Sequence, residues 1–184
     1  AIASDPRQGP PRSIDSARTD LLWLVGLAAM GVLLRLVFLP SYLDNHDSVN
    51  FALALDGFDL AHARPHFPGY PVYVFVARIF HDLGAPAPIA LTLPGALLSG
   101  LATAALYWLL RPTLPRLAAV AITALYAFAP GIWVTDLKAL SDGLGLHLFT
   151  LCLIGVMANR PRLVPLTALG LGLLVGVRAS LLPL

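Results

Sequence analysis

The sequence lacks glutamate altogether, so all 10 of its acidic residues are aspartates, and lysine occurs once, at Lys138. Charged residues make up 12% of the 184 residues, about half the fraction found in soluble domains. Hydrophobic residues make up 58% of the chain. This balance excludes an ordinary soluble domain and is typical of a membrane protein.

Cysteine is nearly absent, and Cys152, the single cysteine, excludes a disulfide within the chain. The formal net charge is only +2, and the arginines are scattered without a basic stripe or interleaved aromatic residues. Nucleic acid is therefore excluded as an expected partner. No pattern of metal ligands stands out, so no metal site is predicted, although a divalent metal is left open.

Long apolar runs occupy most of the chain after residue 20. Residues 1–20 are polar and rich in proline, which predicts a disordered tail. The last apolar run has no polar flank, which led us to expect the N-terminal part of a longer protein. A spanning helix needs roughly 20 apolar residues. Five runs are predicted to span: 21–39, 89–110, 117–134, 143–158 and 163–184.

The arginines predict the orientation of these spans, because short loops rich in Lys and Arg stay on the cytoplasmic side. All three arginine clusters fall inside only if the weaker run Tyr70–Leu83 does not cross the membrane. We therefore predict an all-α integral membrane protein, an antiparallel bundle of about five transmembrane helices with a cytoplasmic tail. The outer loop, residues 40–87, would carry interfacial helices between the first and second spans.

This outer loop concentrates polar and turn-forming residues. Asp47 and Ser48 precede a short helical pattern, and "ARPHFPGYP" then predicts a rigid turn that holds His66 and Tyr70 in fixed positions. Each polar residue also has a structural explanation. Asp47 could be an N-cap, as could Asp142 for the helix after it. His66 could be a turn histidine, while Arg35 and Arg178 could extend toward the membrane surface.

The order of these motifs resembles the C-type (GT-C) superfamily of membrane glycosyltransferases. The closest likeness is to bacterial relatives of protein O-mannosyltransferases and aminoarabinose transferases (family 39-like), in their N-terminal part only. An arginine late in the first span precedes an outer-loop aspartate and a "HxPGYP" turn, and "ALSDGLGL" and "GLLVGVRASLLPL" follow. Phe67 replaces a common proline of the family and Ser48 a common glutamate. The matching loop residues are Asp47, Phe51, Ala54, His66, Pro68, Gly69, Tyr70, Pro71 and Tyr73.

The resemblance implies a reaction at the outer, periplasmic face of the bacterial inner membrane. A sugar would move with inversion from a polyprenyl-phosphate donor to an acceptor, which could be a glycan, a lipid or a protein. No cofactor is implied besides the lipid-linked substrate, and membrane lipid is a further partner. Asp47 is the expected catalytic base. The expected substrate-binding residues are Arg64, His66, Tyr70, Asp142 and Arg178. The cationic residues among them would bind the phosphate.

Two other functions stay open at this point. A transporter or channel fragment would place the intramembrane Arg35 and His147 along a pathway. A structural membrane subunit would need no site, although it would leave the rigid outer loop unexplained.

Overall fold

The computed structural model describes residues 14–181, and within that range the regular secondary structure is helical apart from one isolated β-bridge. Three short 3₁₀ helices lie at Leu60–His62, Pro161–Leu163 and Ala179–Leu181. The α-helices are α1 Ile14–Val37, α2 His46–Asp56, α3 Pro71–Asp82, α4 Ala87–Leu110, α5 Arg116–Phe128, α6 Pro130–Asp136, α7 Ser141–Met157 and α8 Val164–Arg178.

Three helical segments of the described chain are long and apolar enough to cross a membrane: α1, α4 and Pro161–Leu181, which contains α8. The pair α5 and α6 is bent by 48° and would make a fourth if it counts as one span. Helix α7 is apolar but has only 17 residues. These lengths indicate a membrane protein. The structure has helical segments at each of the five predicted runs. That these segments cross the membrane as an antiparallel five-span bundle stays a prediction.

Helix α1 begins earlier than the sequence predicted. Residues 14–20, which we assigned to a disordered tail, form its first two turns, with Asp15 in the first turn near the positive end of the helix dipole. The remainder of the predicted tail, residues 1–13, lies outside the described residues. Asp20 fastens these turns to the rest of the bundle by accepting hydrogen bonds from Arg111 Nε at 2.9 Å and Arg116 Nε at 2.7 Å.

Small residues let α4 lie at the centre of the bundle against α1 and α7. A Cβ atom on Gly100 would meet Ala28 O of α1 at 2.9 Å, and one on Gly95 would meet Leu144 N of α7 at 3.1 Å. The small side chains that the sequence singled out on α4 are buried, as close packing between membrane helices requires. These are Gly95, Ala96, Ser99, Gly100, Ala102 and Ala104.

The predicted span 117–134 is broken rather than continuous. Pro130 opens α6 and has no N–H to donate to the preceding turn, so the ladder of α5 ends at Phe128 and the chain bends. The bend turns Asp136, the last residue of α6, into the bundle, where it is 2% exposed. The five-span topology predicts that residues 135–143 form an outer loop that exposes Asp136 with the other loop acids, and for Asp136 this prediction was wrong.

The two ends of the bundle differ. The α2–α3 end, as we call it, carries the predicted outer loop, the C-terminus of α1, the start of α7 and the end of α8. Helix α3 has 12 residues, about 18 Å, and is too short to cross a hydrocarbon core of ~30 Å. The opposite end, called the Asp20 end, holds the turns that contain Arg111, Arg116 and Arg160.

Candidate functional site

Asp47 lies in the first turn of α2 but does not cap it. The N-cap is Asn45, whose side chain accepts a hydrogen bond from Ser48 N at 2.8 Å, while Ser48 Oγ accepts from Asn45 N at 3.2 Å. This reciprocal pair is a capping box and satisfies the helix start without Asp47. The Asp47 side chain is 56% exposed. The explanation of Asp47 as the N-cap of α2 therefore does not hold.

The turn before α3 brings His66 to Asp47. Backbone bonds between Asp59 and Arg64 close the loop at its base, at 2.6 and 2.8 Å, and both Arg64–Pro65 and Phe67–Pro68 are cis. His66 Nδ1 lies 3.6 Å from Asp47 Oδ1, slightly beyond hydrogen-bonding distance. That nitrogen is buried without a hydrogen-bond partner within residues 14–181. A small shift would complete an Asp–His pair, and apo catalytic hydrogen bonds are commonly long in this way.

Aromatic rings pack against His66 and hold it in place. The Phe51 ring lies 5.1 Å from the rings of both His66 and Tyr70, and the His66 and Tyr70 rings are 5.2 Å apart. Phe51 is 2% exposed and also meets Tyr73 edge to face at 4.9 Å. These distances are those of favourable aromatic pairs. The aromatic cluster Phe51, His66, Tyr70 and Tyr73 therefore fixes the floor of the site beside Asp47.

Tyr73 connects this floor to the core below it. Its side chain is fully buried, and its hydroxyl donates to Leu91 O of α4 at 3.0 Å. Burial raises the pKa of Tyr73 well above its ordinary value, and the negative charge of Asp142 raises it further. Tyr73 therefore remains a neutral hydrogen-bond donor at physiological pH. Leu144, near the start of α7, is buried in the same hydrophobic core as Tyr73, so the start of α7 lies near the aromatic cluster.

Asp142 and Arg178 form a two-bonded ion pair between the start of α7 and the end of α8. Arg178 Nη2 lies 2.8 Å from Asp142 Oδ1 and Nη1 lies 3.0 Å from Oδ2. Both side chains are about one-third exposed, at 31% and 32%. Asp142 makes no side-chain cap on α7, so the capping explanation that we left open for it does not hold. A ligand at Arg178 would have to share or displace this carboxylate.

The predicted site residues thus fall into two groups at the α2–α3 end. Asp47, His66 and Tyr70 form one group, while Asp142 and Arg178 form the other. Both groups border one hydrophobic core, in which Tyr73, Leu144 and Val177 are buried. Arg64 stands apart: its side chain is exposed and forms no ion pair within the described chain.

A buried polar network is the feature that sequence reasoning missed. Arg35 Nε donates to Asp136 Oδ2 at 2.5 Å, and His147 Nε2 lies 2.9 Å from both oxygens of Asp136. Tyr126 extends the chain, with its hydroxyl 2.9 Å from His147 Nδ1. Arg35 and His147 are both 0% exposed. The network joins α1, α5, α6 and α7 just below the candidate site.

One signal in the sequence pointed to this network. Charged groups inside a membrane almost always pair with one another, so Arg35 required a buried partner. A continuous span over 117–134 would place Asp136 in the loop that follows, whereas the bend at Pro130 brings it into the bundle. The sequence suggests His147 only as a possible pathway residue beside Arg35, and not as a partner of Asp136.

Comparisons with protein-family models, curated proteins and solved structures found no match to this chain. Within residues 14–181 no group of three or more His, Cys, Asp or Glu side chains is arranged to hold a metal ion. The side chains at the α2–α3 end place an exposed carboxylate beside an imidazole, and a guanidinium beside a second carboxylate.

Proposed function

We propose that the chain is the N-terminal part of a C-type membrane glycosyltransferase. Its reaction would move a sugar from a polyprenyl-phosphate donor to an acceptor, with inversion. The observation that carries the proposal is the exposed Asp47 carboxylate, which has no capping duty and faces His66 across 3.6 Å. The resemblance of the loop motifs to that superfamily supplies the reaction class.

In the proposed reaction, the acceptor hydroxyl oxygen attacks the anomeric carbon of the donor sugar. The bond from that carbon to the phosphate oxygen breaks through an oxocarbenium-like transition state, and its electron pair stays on the phosphate. Asp47 accepts the proton of the attacking hydroxyl as a general base. His66 positions the Asp47 carboxylate, and the aromatic cluster beneath it offers a flat apolar surface on which a sugar ring can rest.

The leaving polyprenyl phosphate needs cationic donors at the membrane edge. Arg178 is the best placed candidate, because its guanidinium is partly exposed at the same end of the bundle. Asp142 holds that guanidinium in a planar, two-bonded orientation before substrate arrives. Arg64, on the exposed turn, is a second candidate cation. The five-span topology, with this end on the periplasmic side of a bacterial inner membrane, belongs to the same proposal.

The alternative functions receive less support from the structure. A transport pathway lined by Arg35 and His147 would need accessible side chains, whereas both are buried and joined through Asp136. A structural subunit would not need the exposed Asp47 and the partner-free nitrogen of His66. The glycosyltransferase is therefore the one function that we propose.

The test uses the longer protein that the proposal implies, assayed with a panel of polyprenyl-phosphate sugars. Asp47→Asn preserves size and removes the base, so we expect turnover to fall by at least ~100-fold, a typical contribution of general base catalysis. Because Asn45 caps α2, the substitution should leave expression and thermal stability unchanged.

The matched control is Asp44→Asn, which changes an exposed aspartate three positions earlier in the same loop. We expect it to keep near-normal turnover. Loss of turnover in Asp44→Asn with normal turnover in Asp47→Asn would show that the base is misassigned. Absence of transfer from every lipid-linked sugar would contradict the proposed function as a whole.

A further inference from the structure

A second candidate site is an apolar groove near the Asp20 end, away from the residues discussed above. It lies between α4, α7 and α8, with Leu24 of α1 at one edge, and has a volume of about 550 Å³. That volume is within the usual range of small-molecule sites, roughly 300–1,000 Å³. Its walls are almost wholly apolar. Representative lining residues are Leu98, Leu101, Trp108, Leu151, Cys152 and Leu166.

One end of the groove carries an arginine stacked on an aromatic ring. The Arg160 guanidinium carbon lies 4.5 Å from the centroid of the Trp108 ring, and Trp108 itself lines the groove. Stacking uses the face of the guanidinium and leaves its N–H donors, which lie in the plane, free at the edge. Arg162 is exposed and directly precedes Leu163, another lining residue. One guanidinium group therefore borders this end, and a second arginine lies next to it in the chain.

The charges nearby divide into paired and unpaired arginines. Arg111 and Arg116, also at the Asp20 end, both bind Asp20. Arg160 and Arg162 have no carboxylate partner within the part of the chain that the structure describes, and α4 contains no acidic residue. Within residues 14–181, the end of the groove is thus positive and has no carboxylate counter-ion.

We propose that this groove binds a phospholipid with an anionic head group, with one acyl chain in the groove and the phosphate at Arg160 and Arg162. A wholly apolar occupant, such as another helix, would leave both guanidinium groups without an anion. Basic pockets between transmembrane helices on the cytoplasmic side bind anionic head groups in the same manner. The site is separate from the proposed sugar-transfer site and does not depend on it.

The test measures quenching of Trp108 fluorescence in the full chain, with every other tryptophan replaced by phenylalanine. The protein is reconstituted in vesicles of phosphatidylcholine that contain either acyl-brominated phosphatidylglycerol or acyl-brominated phosphatidylcholine at equal fraction. Bromine quenches tryptophan on contact. We expect the anionic lipid to quench at a lower mole fraction than the zwitterionic lipid.

Three variants address the two halves of the site. Arg160→Ala and Arg162→Ala should each reduce the preference for the anionic lipid by about fivefold, which corresponds to about 1 kcal/mol of attraction per basic residue. Ala105→Phe fills the groove from α4 and should abolish quenching by bound lipid. The matched controls are Arg78→Ala, at the α2–α3 end, and Ala121→Phe, on the exposed surface of α5, and neither should change the preference.

Each remaining outcome contradicts the proposal. Equal quenching by the two lipids would show ordinary contact with bulk bilayer. Absence of quenching by either lipid would show that protein covers the groove. A preference that survives in both arginine variants would show that the head group binds elsewhere.

Discussion

At the scale of single residues, Asp136 joins the two basic side chains of the buried network, Arg35 and His147. One carboxylate receives the Arg35 guanidinium and faces the His147 ring, while Arg35 also donates to Gly31 O at 2.8 Å and Ala127 O at 3.3 Å. A buried charge whose partner is removed costs far more than the pair contributes, because the remaining ion cannot be hydrated. The network is therefore most sensitive to a substitution that removes one partner of the Arg35–Asp136 pair and leaves the other ion buried.

We predict that Asp136→Asn destabilises the protein by about 3–5 kcal/mol, the usual cost of leaving one buried charge unpaired. Replacing Arg35 and Asp136 together by leucine should cost less than the sum of the two single leucine variants, since no unpaired charge remains. Thermal unfolding in detergent measures both. Additive losses in the double variant would show that the two residues are not coupled. Asp44→Asn, at an exposed aspartate, is the control.

Arg178 raises a different question, because its ion pair with Asp142 is accessible. Lysine keeps the charge but lacks the planar fork that makes two parallel bonds. Under the proposed function, Arg178→Lys should weaken binding of the polyprenyl-phosphate donor and Arg178→Ala should weaken it further, as measured by donor titration. Unchanged donor affinity in both variants would assign Arg178 only to its pair with Asp142, and the phosphate ligand would then be sought at Arg64.

At the scale of elements, apolar periodicity placed α2 correctly but not its ends. The spacing of Phe51, Ala54, Leu55 and Phe58 at i, i+3, i+4 and i+7 predicts one apolar face. The first three are buried, whereas Phe58 lies beyond the helix and is 44% exposed. Four residues near the start can serve as an N-cap, and only the three-dimensional cap geometry decides among them: Asp44, Asn45, Asp47 and Ser48. Pro130 itself indicates a bend, whereas the length of the apolar run predicts one continuous helix.

The capping box of α2 yields a prediction at this scale. Asn45→Ala removes the acceptor for Ser48 N and should destabilise the protein by about 1 kcal/mol, the typical worth of an N-cap. Asp47→Asn should not, although it lies two positions away. Equilibrium unfolding in detergent compares them. A larger loss in Asp47→Asn than in Asn45→Ala would return the capping role to Asp47 and weaken the case for its role in catalysis.

At the scale of the whole molecule, apolar run length predicted an all-helical chain with segments long enough to cross a membrane, while the orientation read from the arginines stays a prediction. The long-range polar contacts were beyond such reasoning. Arg35 and Asp136 are 101 residues apart, and Asp20 lies 91 residues from Arg111. Local propensity carries no information on such pairs. The two groups of site residues were expected at one end and do lie there, but the pairing of Arg178 with Asp142 emerged only from the packing of α7 on α8.

The topology can be tested with single cysteines in a background that lacks Cys152. Cysteines at His62 and Lys138, both exposed at the α2–α3 end, should react with an impermeant thiol reagent added outside. One at Thr113, exposed at the Asp20 end, should react only after the membrane is opened. The expectation follows from the arginines that surround Thr113. Labelling of Thr113→Cys from outside would show that the orientation is the reverse of the predicted one.

The pairing of Arg35 with Asp136 also constrains the biosynthesis of the protein. Ribosomes add about 5–20 residues per second, so the 101 residues between the two side chains delay the aspartate by roughly 5–20 s. If α1 enters the bilayer as it is made, its guanidinium has no carboxylate partner during that interval. Arg35 lies two residues before the helix ends at Val37, from where it can reach the lipid head groups. In that case we expect Arg35 to move into the bundle only once α6 supplies Asp136.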